Sequence, residues 1–133
     1  MKASILVIED NEKNLYLVTF ILEKCGYQVI QARDGEAGIA LAREMKPDLI
    51  LLDIQLPVMD GYAVARELTR NGELRLIPIV AVTSYAMLGD RERILEAGCV
   101  GYIEKPINPA TFITELERYL PAAKIGNGSR RVP

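Results

Sequence analysis

Asp53 stands at the end of an apolar run, DLILLDI (48–54). An ionised carboxylate is rarely placed there unless it has reached wet surface or something holds its charge. Three other apolar runs end on reactive side chains. SILVI (4–8) is followed by Glu9-Asp10, IVAVT (79–83) ends on Thr83 with Ser84 behind it, and CVGYI (99–103) leads to Lys105-Pro106. If the first, third and fourth runs are neighbouring strands, Glu9, Asp10 and Asp53 meet at one edge. Clustered carboxylates repel, and a proton or a cation relieves them. Oxygen donors without imidazole or thiolate suit a hard ion, Mg2+ or Mn2+. Lys105 adds a fixed positive charge and Thr83 a hydroxyl donor. A cation, an ammonium and a hydroxyl around one carboxylate would stabilise a phosphoryl group while that carboxylate attacks phosphorus. Taken singly, these residues have ordinary explanations: solvated rim acids, a β-forming threonine, a surface lysine. Their joint placement at four strand ends is what points to chemistry.

The elements that must position them alternate. Strands are expected at 4–8, 27–32, 48–53, 79–83 and 99–103. Helices are expected at 12–25, from Asp34-Gly35 to about Met45, at 62–70, at 87–97, and from Pro109 to about Leu120. Leu15, Val18, Leu22 and Cys25 keep helical spacing, and Gly26 stands where a C-cap glycine belongs. Pro47 stops the second helix, and Pro109 suits the first turn of the last. Nearly continuous apolar strands alternating with helices imply an α/β fold, a parallel sheet covered on both faces with right-handed crossovers. In such a sheet, ligands sit at the carboxyl ends of the strands, where the reactive residues lie. Residues 1–120 read as one domain. Residues 121–133, PAAKIGNGSRRVP, lack periodicity and read as a flexible tail.

Composition narrows the chemistry. The chain has 133 residues and a net charge of −2, which gives no ground for direct nucleic-acid binding. No apolar run approaches the roughly 20 residues of a membrane span. MKASILVIED lacks a signal-peptide h-region, so the expected location is the cytoplasm. There is no histidine, which removes His-based catalysis and the commonest zinc ligand. Cys25 and Cys99 each adjoin a glycine and read as small buried thiols in a reducing compartment.

VIEDN (7–11), LLDIQLPVMDG (51–61), AVTSYAM (81–87) and GYIEKPI (101–107) together resemble the receiver domains of two-component response regulators. Thr83 lies 30 residues after Asp53, and Lys105 lies 22 after Thr83, as in that family. The resemblance covers about residues 3–120. It implies a flavodoxin-like sheet of order 2-1-3-4-5 and a phosphoacceptor switch, not an enzyme with an external substrate. By the same resemblance Asp53 is the phosphorylation site. Glu9, Asp10, Asp53 and the backbone carbonyl of Gln55 hold Mg2+ or Mn2+. Lys105 pairs with Asp53, and its bond to Pro106 is cis. Thr83 swings toward the phosphoryl group, and Tyr102 moves inward behind it. Glu9 stands where many relatives have Asp, a change expected to tune the site.

The family also implies partners. Asn14, Leu17 and Ile21 on the first helix would meet a histidine kinase or histidine phosphotransferase; the rival reading is that Leu17 and Ile21 are packing residues. Met87, Arg91, Tyr102 and Arg118 would report phosphorylation to a downstream protein and are the expected homodimer face. Gly89 weakens the fourth helix near that switch. Gln55 and Tyr85 flank the path of attacking water in relatives, and a bulky Tyr85 suggests slow self-dephosphorylation. A short tail and Met1 close to the first strand suit a stand-alone receiver. The alternative is a receiver from a hybrid histidine kinase or larger regulator. A flavodoxin-like nucleotide or flavin binder is disfavoured, because Glu9-Asp10-Asn11-Glu12 would repel phosphate. A haloacid-type phosphatase is disfavoured because Gln55 stands where the second acid of D-x-D belongs.

Overall fold

Along the first strand, Leu6 and Ile8 join one apolar cluster while Ile5 and Val7 join another. The third strand repeats this, with Ile50 and Leu52 on the first side and Leu49 and Leu51 on the second. A strand that is apolar on both pleats must be covered twice. In the computed structural model, which describes residues 3–84 and 87–125, the covering is done by five helices. The elements run β1 (Ser4–Ile8), α1 (Glu12–Lys24), β2 (Gln28–Ala32), α2 (Gly35–Met45), β3 (Leu49–Asp53), α3 (Gly61–Arg70), β4 (Ile79–Thr83), α4 (Leu88–Glu96), β5 (Gly101–Glu104) and α5 (Phe112–Glu117). The sheet is parallel throughout, in the order β2-β1-β3-β4-β5. Leu15, Val18 and Leu22 of α1 pack with Phe112 and Leu116 of α5 on one face. Ile39 of α2, Val64 and Leu68 of α3 and Ile94 of α4 cover the other.

Two elements begin two or more residues later than the sequence expectation. The fifth strand was expected from Cys99 but begins at Gly101. Gly98 sits at φ +107°, a left-handed conformation that ends α4, and the N–H of Cys99 is drawn back to the carbonyl of Ile94. The last helix was expected from Pro109 but begins at Phe112. Asn108 takes over the intervening residues: its side chain accepts the N–H of Ala110, and its carbonyl accepts those of Thr111 and Phe112. Of the expected tail, Ala122–Lys124 form a 3-10 turn, Lys124 pairs with Asp48 at 3.4 Å, and Ile125 packs on the α1–α5 side of the core.

Cys99 is buried, and burial pushes its thiol up to about 12, which makes it unreactive. Cys25 is half-buried at the C-cap of α1.

Candidate functional site

Strand register places the acids. Ile8 pairs with Leu52, so the next residues, Glu9 and Asp53, lie side by side at the carboxyl ends of β1 and β3. The carboxylates of Glu9, Asp10 and Asp53 come within 4.8 Å of one another. Glu9 and Asp53 are only 5 % and 3 % exposed, while Asp10 faces solvent. A cluster with two buried acids and one wet one can take a cation from solution and strip only part of its hydration. Its all-oxygen donor set matches a hard divalent ion.

Each buried acid has specific partners. Asp53 Oδ1 accepts the backbone N–H of Gln55 at 2.8 Å and the Lys105 ammonium at 3.1 Å. Lys105 reaches across from the loop after β5, where its bond to Pro106 is cis. Glu9 accepts the N–H of Asn11 at 3.2 Å. Its carboxyl is nevertheless pushed up to about 8, first by burial and then by the hydrogen bond and negative charge of Asp53; Asn11 and Lys105 pull the other way. One lysine does not neutralise the two buried acids, and the charge left over favours a proton or a cation at the cluster.

Where the loop after β3 enters α3, two stretches of backbone pack closely. Gly61 lies against the backbone of the strand end: a Cβ there would stand 2.4 Å from Ile54 Cα and 2.6 Å from the Asp53 carbonyl oxygen. No other residue fits without moving the backbone that carries Asp53. The small cavity bordered by Glu9, Asn14, Asp53 and Lys105 holds about 10 Å3. Six apolar side chains, among them Val18 and Ile107, complete its wall; it has room for about one water, whereas ring-bearing ligands need roughly 300 Å3 or more.

Thr83 closes β4 one position beyond Val82, the pairing partner of Asp53, and is buried at 1 % exposure. It is not among the residues bordering the small cavity. Tyr102 lies on β5, half-buried against the core, with the Arg91 guanidinium 5.6 Å from its ring centre. Arg118 borders an open hollow with Tyr102, Glu104, Glu115 and Tyr119, and Met87 is exposed. Tyr85 lies outside the described residues.

On α1, Asn14 borders the acidic cavity, but Leu17 and Ile21 are half-buried, and Ile21 packs on the core. The exposed apolar groups are Tyr16 and Phe20, stacked at 6.4 Å, with the Lys24 ammonium 5.5 Å from the Phe20 ring. Sequence reasoning passed over this pair. The signal was present: positions 16 and 20 are four apart and fall opposite the Leu15, Val18 and Leu22 stripe.

A parallel sheet with clustered acids, a lysine and a hydroxyl at its carboxyl edge defines a phosphoacceptor class of protein. The chain matches the response regulator receiver domain over residues 5–117, and it belongs to that family. It is 48% identical over 120 residues to the polar-differentiation response regulator DivK of Brucella anthropi, covering 90% of this chain and 98% of that protein. The DivK of Brucella melitensis is equally similar. Among solved structures, the chemotaxis protein CheY4 of Vibrio cholerae superposes with a TM-score of 0.87 at 28% identity, covering 90% of this chain and all of that one. The receiver domain of a sensor histidine kinase from Pseudomonas aeruginosa, solved with a magnesium ion coordinated in its active-site cleft, has a TM-score of 0.82 at 37% identity. That match covers 90% of this chain and 98% of the other. The protein is a signalling switch of the two-component type. Among the described residues, no helix is long and apolar enough to cross a membrane.

Proposed function

We propose that Asp53 takes a phosphoryl group from a histidine kinase or histidine phosphotransferase. The observation that carries this is the 3.1 Å contact between Asp53 and Lys105 beside two further acids. Two donors occupy Asp53 Oδ1, so Oδ2 is the oxygen assigned to the attack. Oδ2 forms the new bond to phosphorus, the bond from phosphorus to the donor histidine nitrogen breaks, and that nitrogen recovers a proton. Glu9, Asp10, Asp53 and the backbone carbonyl of Gln55 would hold Mg2+ or Mn2+, which would supply charge neutralisation for the transferring phosphoryl oxygens. Lys105 holds the acceptor in place beforehand and meets the phosphoryl oxygens afterwards. Thr83 then turns its hydroxyl inward, and Tyr102 follows. The chain's own catalysis is confined to gaining and losing this group.

Asn14 and the outer face of α1 adjoin the acceptor and suit docking of the phosphodonor, with Tyr16 and Phe20 extending that face. The α4–β5–α5 face, with Met87, Arg91, Tyr102 and Arg118, suits the downstream partner or a second copy. The relatives' name points to control of polar differentiation.

Incubation with Mg2+ and phosphoramidate, followed by intact-mass measurement, tests the acceptor. The expected result is a gain of one phosphoryl group that disappears in Asp53→Asn. An unchanged mass, or uptake that survives Asp53→Asn, overturns the reading.

A further inference from the structure

Gln55 bridges the two loops that frame the acceptor. Its backbone N–H donates to Asp53 Oδ1, and its side-chain Oε1 accepts the backbone N–H of Ser84 at 3.1 Å. The donor is an N–H, so only the carboxamide oxygen can be the partner, and this settles which way the Gln55 amide points. Strand pairing does not explain the contact. The ladder between β3 and β4 runs out where Ile54 donates to the Val82 carbonyl. Gln55 carries the connection one step further, to the residue directly after Thr83. Gln55 and Ser84 are both exposed, so water competes for this bond and it can be broken at small cost.

We propose that the Gln55 side chain is a latch on the connection between β4 and α4, a positioning residue that acts through Ser84. This rests on reading Asp53 as the acceptor. Thr83 and Ser84 share a peptide bond, and the Thr83 carbonyl is fixed by the N–H of Lys105 at 2.8 Å. A shift of the Thr83 backbone toward a phosphoryl group is therefore passed on to Ser84, where the bond to Gln55 resists it. The latch biases the unphosphorylated arrangement. Its removal lets the phosphoryl-ready arrangement be populated in advance, which lowers the conformational cost of the reaction. Gln55 thus links the loop that follows the acceptor to the residue that follows Thr83.

The test compares wild type, Gln55→Leu and Gln55→Glu by residue-resolved amide hydrogen exchange and by the rate of Asp53 phosphorylation with Mg2+ and phosphoramidate. Leucine fills the same space without an acceptor; glutamate keeps an oxygen at the same reach. The Ser84 amide should exchange about fivefold or more faster in Gln55→Leu and return toward wild type in Gln55→Glu, while the Lys105 amide is unmoved. Gln55→Leu should also take up phosphoryl groups roughly threefold or more faster than wild type. Equal Ser84 exchange in wild type and Gln55→Leu, or no gain in uptake, overturns the latch. Loss of Ser84 protection in Gln55→Glu as complete as in Gln55→Leu overturns its chemical basis. Failure of wild type to take up any phosphoryl group is a different outcome, and it overturns the acceptor reading itself.

Discussion

Helices α1, α2 and α3 each start on a side-chain cap, and α4 and α5 do not. Asn11, Asp34 and Asp60 accept backbone N–H groups from Asn14, Ala37 and Ala63 at 3.0, 2.8 and 2.9 Å. Met87 and Thr111, at the corresponding positions of α4 and α5, make no side-chain cap bond. Burial sets α4 apart, since Phe112, Ile113 and Leu116 of α5 are buried and β4 is buried throughout. Strands β1 and β3 are almost wholly buried, whereas Ile94 is the one buried side chain among those described on α4. Two arginine–tyrosine contacts add to its hold: Arg91 over Tyr102, and Arg93 over Tyr62 at 4.1 Å. The clustered acids Glu9, Asp10 and Asp53 stand on the well-anchored side, where precise geometry is needed. The surface suited to readout stands on the weakly anchored side, from which moving elements are drawn.

The largest expected effect comes from breaking the anchored side at its tightest point. Gly61→Ala places a methyl against the backbone of Ile54 and Asp53, which cannot yield as a side chain would. The variant should lose about 3 kcal/mol or more in denaturant unfolding and phosphorylate poorly.

Next comes Glu9. Its folded pKa, about 8, lies above its ordinary value because burial and Asp53 oppose its ionisation. Its stabilising contribution without metal is therefore full below the ordinary value near 4.5 and is lost as pH rises toward 8. Thermal melts in chelator should show this slope, and Glu9→Gln should flatten it. The sign reverses for Mg2+, which needs the ionised form: its affinity should rise with pH until about 8, with a proton released on binding.

Smaller effects should follow from the caps. Asp34→Ala removes one and should cost about 1 kcal/mol of global stability. Gly89→Ala acts on the loose side. Its Cβ meets nothing within 4 Å, so the gain is helix propensity alone, at most about 1 kcal/mol, read as slower exchange within α4. Opposite signs at these two glycines would sharpen the contrast; equal signs would erase it.

Much of the fold was legible because apolar periodicity and strand-end residues are local signals. β1 and β4 run as the apolar stretches do, and the acids cluster because parallel register carries Glu9 and Asp53 to the same level. What was not legible depends on the backbone conformation of single residues and on contacts across the chain. The late start of β5 follows from the left-handed Gly98, and that of α5 from Asn108 bonding to its own neighbours. The raised pKa of Glu9 follows from its burial beside Asp53, and the Gln55–Ser84 contact joins residues 29 apart. Composition gave no hint of either.

Amide exchange measured helix by helix, before and after phosphorylation, tests the central contrast most directly. The account predicts that α4 amides exchange about tenfold or more faster than those of α1 and α3, and that phosphorylation shifts α4 and β5 while leaving α2 unchanged. Equal protection across the five helices, or a response centred on α2 and β2, would contradict it.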